Sequence, residues 1–577
     1  MSAGSATAGS EGGADEGGLD ETRMVGSLGT GTPTLRVWRN AAEPARVKPC
    51  RRCRMPSGPL SELRRTPIQL AMCAALFVAV LDNTILNVAL PSLVRELGAT
   101  TSQLQWILDS YVLVFAGLQI TVGALGDRYG RKGALQLGLA ILGLGSAFAA
   151  TVDSAGWLIV ARSLMGVGAA LISPSSLSIL TNVFTAPAER AKAIGIWSAT
   201  SGVGIALGPT VGGLLLRQFW WGSVFLVNVP LVAITMLIVA KYVPTSRDPQ
   251  VRKLDPVGAV LSMAAAGTLV YAIVEAPARG WGSTATLANA LVGMAVATAF
   301  ILWELHHPTP ILDLRFFRDP RFSAAVGGAS VLWFCLSGWL FIMTQHLQFV
   351  KGFDPFQAGI RAIPFAATVF VVTTQAAGLN SRFGTKRMGT VGLALVAVAM
   401  FSWTRWSVAT AYPVLVITYV LLAVGQGLSI APLTDSVMGS VPRERAGVAS
   451  ATNNTIRQLG QAVGIAVIGS IVSSRYRSGV AAVAEQLPTA SARAVRSSLG
   501  AALREASQLG ASRTEVLATA RRAFVDGSHA AMWVAFGVAV VGAISVYVYL
   551  PSTASASSFA ASPGDATIEP ASEAATP

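Results

Sequence analysis

Apolar runs of about twenty residues recur along this chain from Pro67 to Leu550, with no soluble-length break between them. A run of about twenty apolar residues is what an α-helix needs to cross a bilayer. A bilayer accepts apolar side chains provided the backbone satisfies its own hydrogen bonds, as a helix does. The sequence therefore predicts an all-α polytopic membrane protein. The spans fall near 67–90, 104–124, 133–151, 156–179, 192–215, 222–243, 255–275, 286–304, 322–348, 358–380, 388–407, 412–434, 446–473 and 528–550. Composition agrees: of 577 residues 52% are hydrophobic and only 12% charged, with a mean hydropathy of +0.56. Soluble domains carry about 25% charged residues.

The net charge of +14 invites a nucleic-acid reading. The basic residues sit between apolar runs rather than in one patch, which fits cytoplasmic loops instead. With both ends placed inside, alternate loops carry Arg128, Arg131 and Lys132; Arg190 and Lys192; Lys241, Arg247, Arg252 and Lys253; Arg315, Arg318 and Arg321; Arg382, Lys386 and Arg387; and Arg443 and Arg445. The intervening loops hold few: Arg95, Arg217, Arg279, Lys351 and Arg405. This pattern predicts an even count of about fourteen spans with cytoplasmic termini. The stretch 474–527 is basic on the outer side, but long loops escape the rule. Its Ala/Leu/Arg pattern predicts amphipathic helices outside the bilayer.

Residues 1–66 read as a disordered cytoplasmic tail, acidic early and basic late, with Met55 as an alternative start; residues 551–577 read as a second disordered tail. Cys50 and Cys53 form a lone pair far from all four histidines, so neither a zinc site nor a disulfide framework is expected. Cys73 and Cys335 fall in apolar runs and read as small core residues.

Three pieces of sequence recur at nearly one spacing. Asp127-Arg128-Tyr129-Gly130-Arg131-Lys132 answers Ser381-Arg382-Phe383-Gly384-Thr385-Lys386; Glu189-Arg190-Ala191 answers Glu444-Arg445-Ala446; Gly204 and Gly208 answer Gly460 and Gly464. A shared offset of 254 to 256 residues in one order implies two related halves. The expected domains are a six-helix bundle at 67–243, two inserted helices at 244–305, and a second six-helix bundle at 306–550 that contains the outer loop 474–527. Paired helical halves around a midplane site form a transporter architecture.

The residues that carry chemistry are few. Asp82 lies inside an apolar helix, where a carboxylate must be paired, protonated or facing water. It reads either as a proton carrier, which is preferred, or as half of a static ion pair. Arg162 is the other embedded charge; it cannot lose its proton, so it reads as an electrostatic partner for an acid or as a snorkelling arginine. Gly204, Gly208 and Gly212 form a stripe at i, i+4, i+8 that allows close helix packing, with Pro209 and Gly213 beside it. Gly123-Ala124-Leu125-Gly126-Asp127-Arg128-Tyr129-Gly130-Arg131-Lys132-Gly133 places tight-turn glycines among charges at the inner face. Asn87, Trp106, Gln119, Trp197, Gln345, Gln348, Arg361, Asn453, Asn454 and Arg457 are expected to line a central cavity suited to amphipathic ligands. Trp106 also fits an interfacial anchor, and Arg361 and Arg457 fit either anion recognition or structural pairing. The sequon Asn453-Asn454-Thr455 falls near or within a span and is discounted as a glycosylation site.

The loop from Gly123 to Gly133 resembles that of the major facilitator superfamily. Leu81-Asp82-Asn83-Thr84-Ile85-Leu86-Asn87-Val88-Ala89-Leu90-Pro91 resembles the first-span motif of its fourteen-helix drug:proton antiporters. Arg162-Ser163-Leu164-Met165-Gly166-Val167-Gly168 resembles their fourth-span arginine motif. Gly204, Gly208-Pro209 and Gly212-Gly213 resemble the fifth-span antiporter motif, and Phe225, Asn228 and Pro230 match the start of the sixth span. The N-terminal half matches densely. The C-terminal half matches mainly by pattern and lacks the loop acid at Ser381. The resemblance implies a major facilitator fold and proton-driven export of lipophilic or amphipathic molecules from a bacterial plasma membrane by a monomer. Asp82 and Arg162 would couple protons, and Gly123, Asp127, Arg128, Gly130, Arg131 and Lys132 would form a cytoplasmic gate. The alternatives are a dedicated exporter of one self-made metabolite or a proton-coupled uptake symporter. A primary pump is disfavoured, since no G-x-x-x-x-G-K-[ST] phosphate loop occurs. An enzyme is disfavoured too, since no acidic cluster lies between spans. The expected partners are a small molecule, protons and the bilayer, with no cofactor beyond the proton gradient and no nucleic acid.

Overall fold

The computed structural model describes residues 62–246, 255–307, 310, 312–441, 446–505 and 513–551. Cys50, Cys53, Arg247, Arg252, Lys253, Arg443, Glu444, Arg445 and both expected tails (save Glu62–Thr66 and Pro551) lie outside these residues. The described chain is helical throughout. In order the helices are α1 (Glu62–Leu97), α2 (Thr101–Tyr129), α3 (Arg131–Thr151), α4 (Ala155–Val183), α5 (Pro187–Gln218), α6 (Ser223–Leu226), α7 (Asn228–Tyr242), α8 (Pro256–Arg279) and α9 (Thr284–His306). Then follow α10 (Pro320–Gln345), α11 (Pro355–Arg361), α12 (Ile363–Phe383), α13 (Thr385–Trp403), α14 (Tyr412–Gly439), α15 (Ala446–Glu485), α16 (Thr489–Ser497), α17 (Leu499–Glu505) and α18 (Arg513–Tyr549).

Local chemistry sets the boundaries. Thr100 and Gln103 form a reciprocal capping box at the start of α2. Ser154, Asp255, Ser283, Asp319 and Asp354 cap α4, α8, α9, α10 and α11 through their side-chain oxygens. The sixth expected span is divided at Val227, because Pro230 has no N–H to give to the carbonyl four residues earlier. Pro364 divides the tenth span at Ala362 in the same way.

Twelve stretches among the described residues are long and apolar enough to cross a membrane, against about fourteen expected. The two that fall short are α2 and α13. α13 has only 19 residues, with Lys386 and Arg387 in its first turn, and in α2 the side chains of Ile120, Ala124 and Asp127 lie outside the described residues. The expected outer loop 474–527 also differs. The membrane helices run on into it, α15 as far as Glu485 and α18 from Arg513, with α16 and α17 between. Tyr476 donates to the Val495 carbonyl, which ties α16 back onto α15.

Helix pairings repeat along the chain. α1 packs on α5 as α10 packs on α15; α2 and α3 pack on α4 as α12 and α13 pack on α14; α3 meets α7 as α13 meets α18. The turns repeat as well. A single glycine with positive φ joins α2 to α3 (Gly130, 127°) and α12 to α13 (Gly384, 82°), a conformation that favours glycine. α8 and α9 pair with each other, and α8 lies against α2 and α15. Ser102 donates to the Val274 carbonyl and Ser470 to that of Ile273. The outer face of α9, with Leu287, Leu291, Met294 and Leu302 all exposed, is a surface for lipid rather than water.

Candidate functional site

The two embedded charges meet. Asp82 of α1 and Arg162 of α4 are both fully buried, with Asp82 Oδ2 2.6 Å from Arg162 Nη1. Asn228 of α7 donates to Asp82 Oδ1 at 2.8 Å and also reaches Ser146 Oγ of α3 at 3.1 Å. Ser146 in turn donates to the Phe225 carbonyl. Arg162 Nε donates to the Ile107 carbonyl, and its guanidinium lies 4.3 Å from the Tyr111 ring centroid. Groups from α4 and α7 thus meet the α1 carboxylate, held in turn by α2 and α3. Complete burial removes the snorkelling reading of Arg162. A pair taken out of water is stable only when its hydrogen bonds are met, and this one has several; Arg162 Nη2 and, beside the pair, Asn228 Oδ1 lack a partner.

The position of α1 follows from the glycine stripe. Gly204, Gly208 and Gly212 of α5 face Val80, Thr84 and Ile85 of α1, and Thr84 donates to the Gly204 carbonyl at 3.1 Å. A Cβ at Gly204 would fall 2.9 Å from Val80, and one at Gly212 would fall 2.8 Å from Ile85. No other residue allows this approach. Gly213 and Pro209 instead face the other half of the molecule, where they abut Pro355, Phe356 and Gly359 of α11.

Beside the pair lies a cavity of about 1660 Å³ between the halves. Its walls include Val80, Asn83, Thr84 and Asn87 of α1, Tyr111 and Gln119 of α2, Trp197 of α5, Trp333 of α10, and Asn454, Arg457, Gln458 and Gln461 of α15. It reaches the end of the bundle at which α1 begins, where Ser198, Thr434 and Asp435 are exposed. The opposite end is closed. Gln105 of α2 donates to the Ile465 and Ala466 carbonyls of α15, and Gln348 donates to the Val88 carbonyl of α1.

Five of the ten residues expected in the cavity line it: Asn87, Gln119, Trp197, Asn454 and Arg457. The other five do not, and each has a local reason. Trp106 packs at 6.0 Å on Tyr271 of α8. Gln345 turns back to the Phe341 carbonyl. Gln348 belongs to the closed end. Arg361 stacks over Phe353 at 3.9 Å and donates to the Gln357 carbonyl. Asn453 is buried on a face of α15 away from the cavity. Of the expected gate, Gly123 lines the cavity mouth and Gly130 makes the turn. Arg128 lies over Tyr129, Lys132 donates to the Ala240 carbonyl at 2.8 Å, and the Arg131 amide donates to that of Ser246. The side chain of Asp127 lies outside the described residues. Glu189, from the repeated Glu-Arg-Ala, pairs with Arg65 at 2.8 Å.

The second half carries no copy of the charged cluster. Counting 257 residues on, Asp82 answers to Trp339, Ser146 to Trp403 and Arg162 to Tyr419; Tyr111 answers to Phe365, 254 on. Trp339 packs against Phe365 at 5.0 Å, Tyr419 at 5.1 Å and Trp403 at 6.5 Å. Trp403 donates to Ser528 of α18, as Asn228 of α7 donates to Ser146. The polar network of one half is an aromatic network in the other. Tyr111, Ser146 and Asn228 were not singled out as parts of the charged site, since none is ionised at neutral pH. Asn228 was visible only as part of the Phe225-x-x-Asn228-x-Pro230 match.

The family model of the Major Facilitator Superfamily matches residues 72–465. The chain belongs to this superfamily. It is a family of membrane transporters rather than enzymes, so the protein is a multi-spanning membrane transporter. It is 36% identical over 489 residues to the multidrug efflux pump LfrA of Mycolicibacterium smegmatis, covering 83% of this chain and 97% of that one. It is 34% identical to the methyl viologen resistance protein SmvA of Salmonella typhimurium, covering 77% and 90%. It is 33% identical to a methylenomycin A resistance protein of Streptomyces coelicolor, covering 70% and 85%. In fold it resembles a bacterial homologue of the human lysosomal transporter Spinster in an inward-facing, unoccupied form. There the TM-score is 0.60, with 19% identity and coverage of 85% of this chain and 98% of that one.

Proposed function

We propose that this protein is a proton-driven antiporter that exports lipophilic or amphipathic small molecules, drugs among them, across a bacterial cytoplasmic membrane. In this reading the fourteen long helical segments, α2 and α13 included, all span. They form two six-helix halves with α8 and α9 inserted, and both termini lie in the cytoplasm. The cavity then opens to the cytoplasm and is sealed outside. The multidrug and antibiotic resistance proteins among its relatives support export, as does the α1–α5 glycine contact.

One observation carries the mechanism: the Asp82–Arg162 pair lies directly behind the cavity wall. Asn83 and Thr84, next to Asp82, line the cavity, and Tyr111 has Arg162 on one face and the cavity beside it. A proton that binds Asp82 discharges the carboxylate and releases Arg162 from its partner. The contacts joining α1, α4 and α7 then change, and with them the preference between inward and outward forms. A ligand can shift such an equilibrium only by its differential affinity for the two forms. Substrate and proton act on the same wall, so each alters the binding of the other. A single chain suffices, and the proton gradient supplies the energy without a cofactor.

The test is transport in proteoliposomes with an imposed pH gradient, using a fluorescent amphipathic dye. Dye should move against its own gradient in the direction opposite to protons. Dye movement indifferent to the gradient would sink the coupling, and co-directional movement would make the protein a symporter.

A further inference from the structure

Asp109 lies on α2, outside the cluster around Asp82, and none of the contacts described above uses it. It is fully buried, and neither carboxyl oxygen has a hydrogen-bond partner. It does not line the cavity. Its place on the helix sets its surroundings. One turn earlier, Gln105 donates to α15; on the same side, Ser102 donates to the Val274 carbonyl and Trp106 packs on Tyr271, both of α8. About two turns later, Gly117 faces Met263 of α8. Ser470 of α15 closes the triangle by donating to Ile273 of α8. Asp109 therefore sits in the seam where α2, α15 and the inserted α8 meet, just inside the closed outer end.

The ionisable groups around α2 are committed elsewhere. On α4, Arg162 pairs with Asp82 of α1 and reaches Ile107, on the opposite face of α2. On α8, Tyr271 packs on Trp106, and Glu275 pairs with Arg279 towards the outer end. On α15, Arg457 lies over Trp333 on the cavity side, Arg475 lies against Gly527 of α18, Tyr476 donates to the Val495 carbonyl and Arg477 interacts with Glu275 of α8. On α3, Arg131 and Lys132 lie at the far end of the bundle. A carboxylate ion that is fully buried, with no cation and no protein donor beside it, is strongly disfavoured in such a place, so the closed seam holds Asp109 as the neutral acid.

We infer that Asp109 is a second proton-binding site, and that its protonation is a condition for closing the outer seam between α2 and α15. This rests on the alternating-access reading above. When the seam parts, Asp109 meets water and gives up its proton to it at little cost. When the seam closes, it must first take one up. Asp82 differs, because it keeps its cation in the closed form. External acid thus favours the sealed, cavity-open form, and external alkali favours the parted one. If one proton separates the forms, the ratio of parted to sealed protein changes up to tenfold per pH unit in the window where Asp109 titrates.

The test is a distance distribution from spin labels at the exposed outer positions Glu96 on α1 and Ala409 before α14, in a cysteine-free background, recorded from acid to alkaline pH. In the otherwise wild-type protein, the longer distance should grow with pH. Asp109→Asn should remove about one decade per pH unit from that dependence and leave the short distance dominant. Asp109→Glu, which keeps a carboxyl, should restore the dependence and report that the site folds. Infrared difference spectra should show a protonated-carboxyl band in the sealed wild type that Asp109→Asn lacks. An unchanged pH dependence in Asp109→Asn, or no such band, overturns the assignment. Neither measurement needs a transported substrate, so failure of the export reading would show separately, in the proteoliposomes.

Discussion

Asp82 and Arg162 are 80 residues apart in the chain and 2.6 Å apart in the structure, and both are wholly removed from solvent. Breaking such a pair from one side leaves an uncompensated buried charge, at a cost of about 3–5 kcal/mol. Arg162→Ala should therefore destabilise the protein by about that much. The double variant Asp82→Asn, Arg162→Ala should be less destabilised than Arg162→Ala alone. Thermal unfolding in detergent would measure both, and simple additivity would show that the two side chains do not interact.

The α1–α5 contact predicts a contrast between glycines of one helix. A Cβ at Gly208 runs into Thr84, whereas a Cβ at Gly195 meets nothing within 4 Å. Gly208→Ala should cost about 1–3 kcal/mol by overpacking and should impair export. Gly195→Ala should be neutral or stabilising by up to about 1 kcal/mol, as expected for a helix interior. Unfolding curves for the two variants, with dye efflux at matched expression, check this.

The aromatic cluster of the second half predicts separable stability and coupling. Trp403 is fully buried, stacks on Trp406 at 3.8 Å and donates to Ser528. Trp403→Ala should destabilise by about 3–5 kcal/mol. Protein that remains folded should keep its response to an uncoupler. An uncoupler-insensitive Trp403→Ala would place part of the coupling in the second half.

The cavity predicts graded rather than absolute effects. It is walled by amides and aromatic rings, with Arg457 over Trp333 at 5.0 Å. Trp197→Ala and Asn454→Ala should each change apparent affinity by up to about tenfold, or about 1.4 kcal/mol, and unequally among dyes. Equal losses for every dye would mean that these residues act on the fold rather than on the ligand.

Much of this was legible in the sequence, because the bilayer makes apolar length a strong signal. It was weakest for α13, which has only 19 residues and carries Lys386 and Arg387 in its first turn. The Gly130 and Gly384 turns were readable as a repeat because each position demands positive φ. The charged pair was readable as two embedded ions, though not as partners, since no local pattern links α1 to α4. Asp109 was missed: in sequence it looks like one more polar residue near a helix start, and only the packing of α8 and α15 shows it sealed. Gln345, Gln348 and Arg361 were misplaced because polarity alone does not say whether a side chain faces a cavity or packs at its closed end.

The most direct test of the central claim is proton uptake in proteoliposomes carrying a trapped pH indicator. Adding dye to the wild type should drive proton movement in the direction opposite to the dye, and Asp82→Asn, assayed at a matched amount of folded protein, should show none. Undiminished dye-driven proton movement in Asp82→Asn would contradict the account, since the coupling proton would then bind elsewhere.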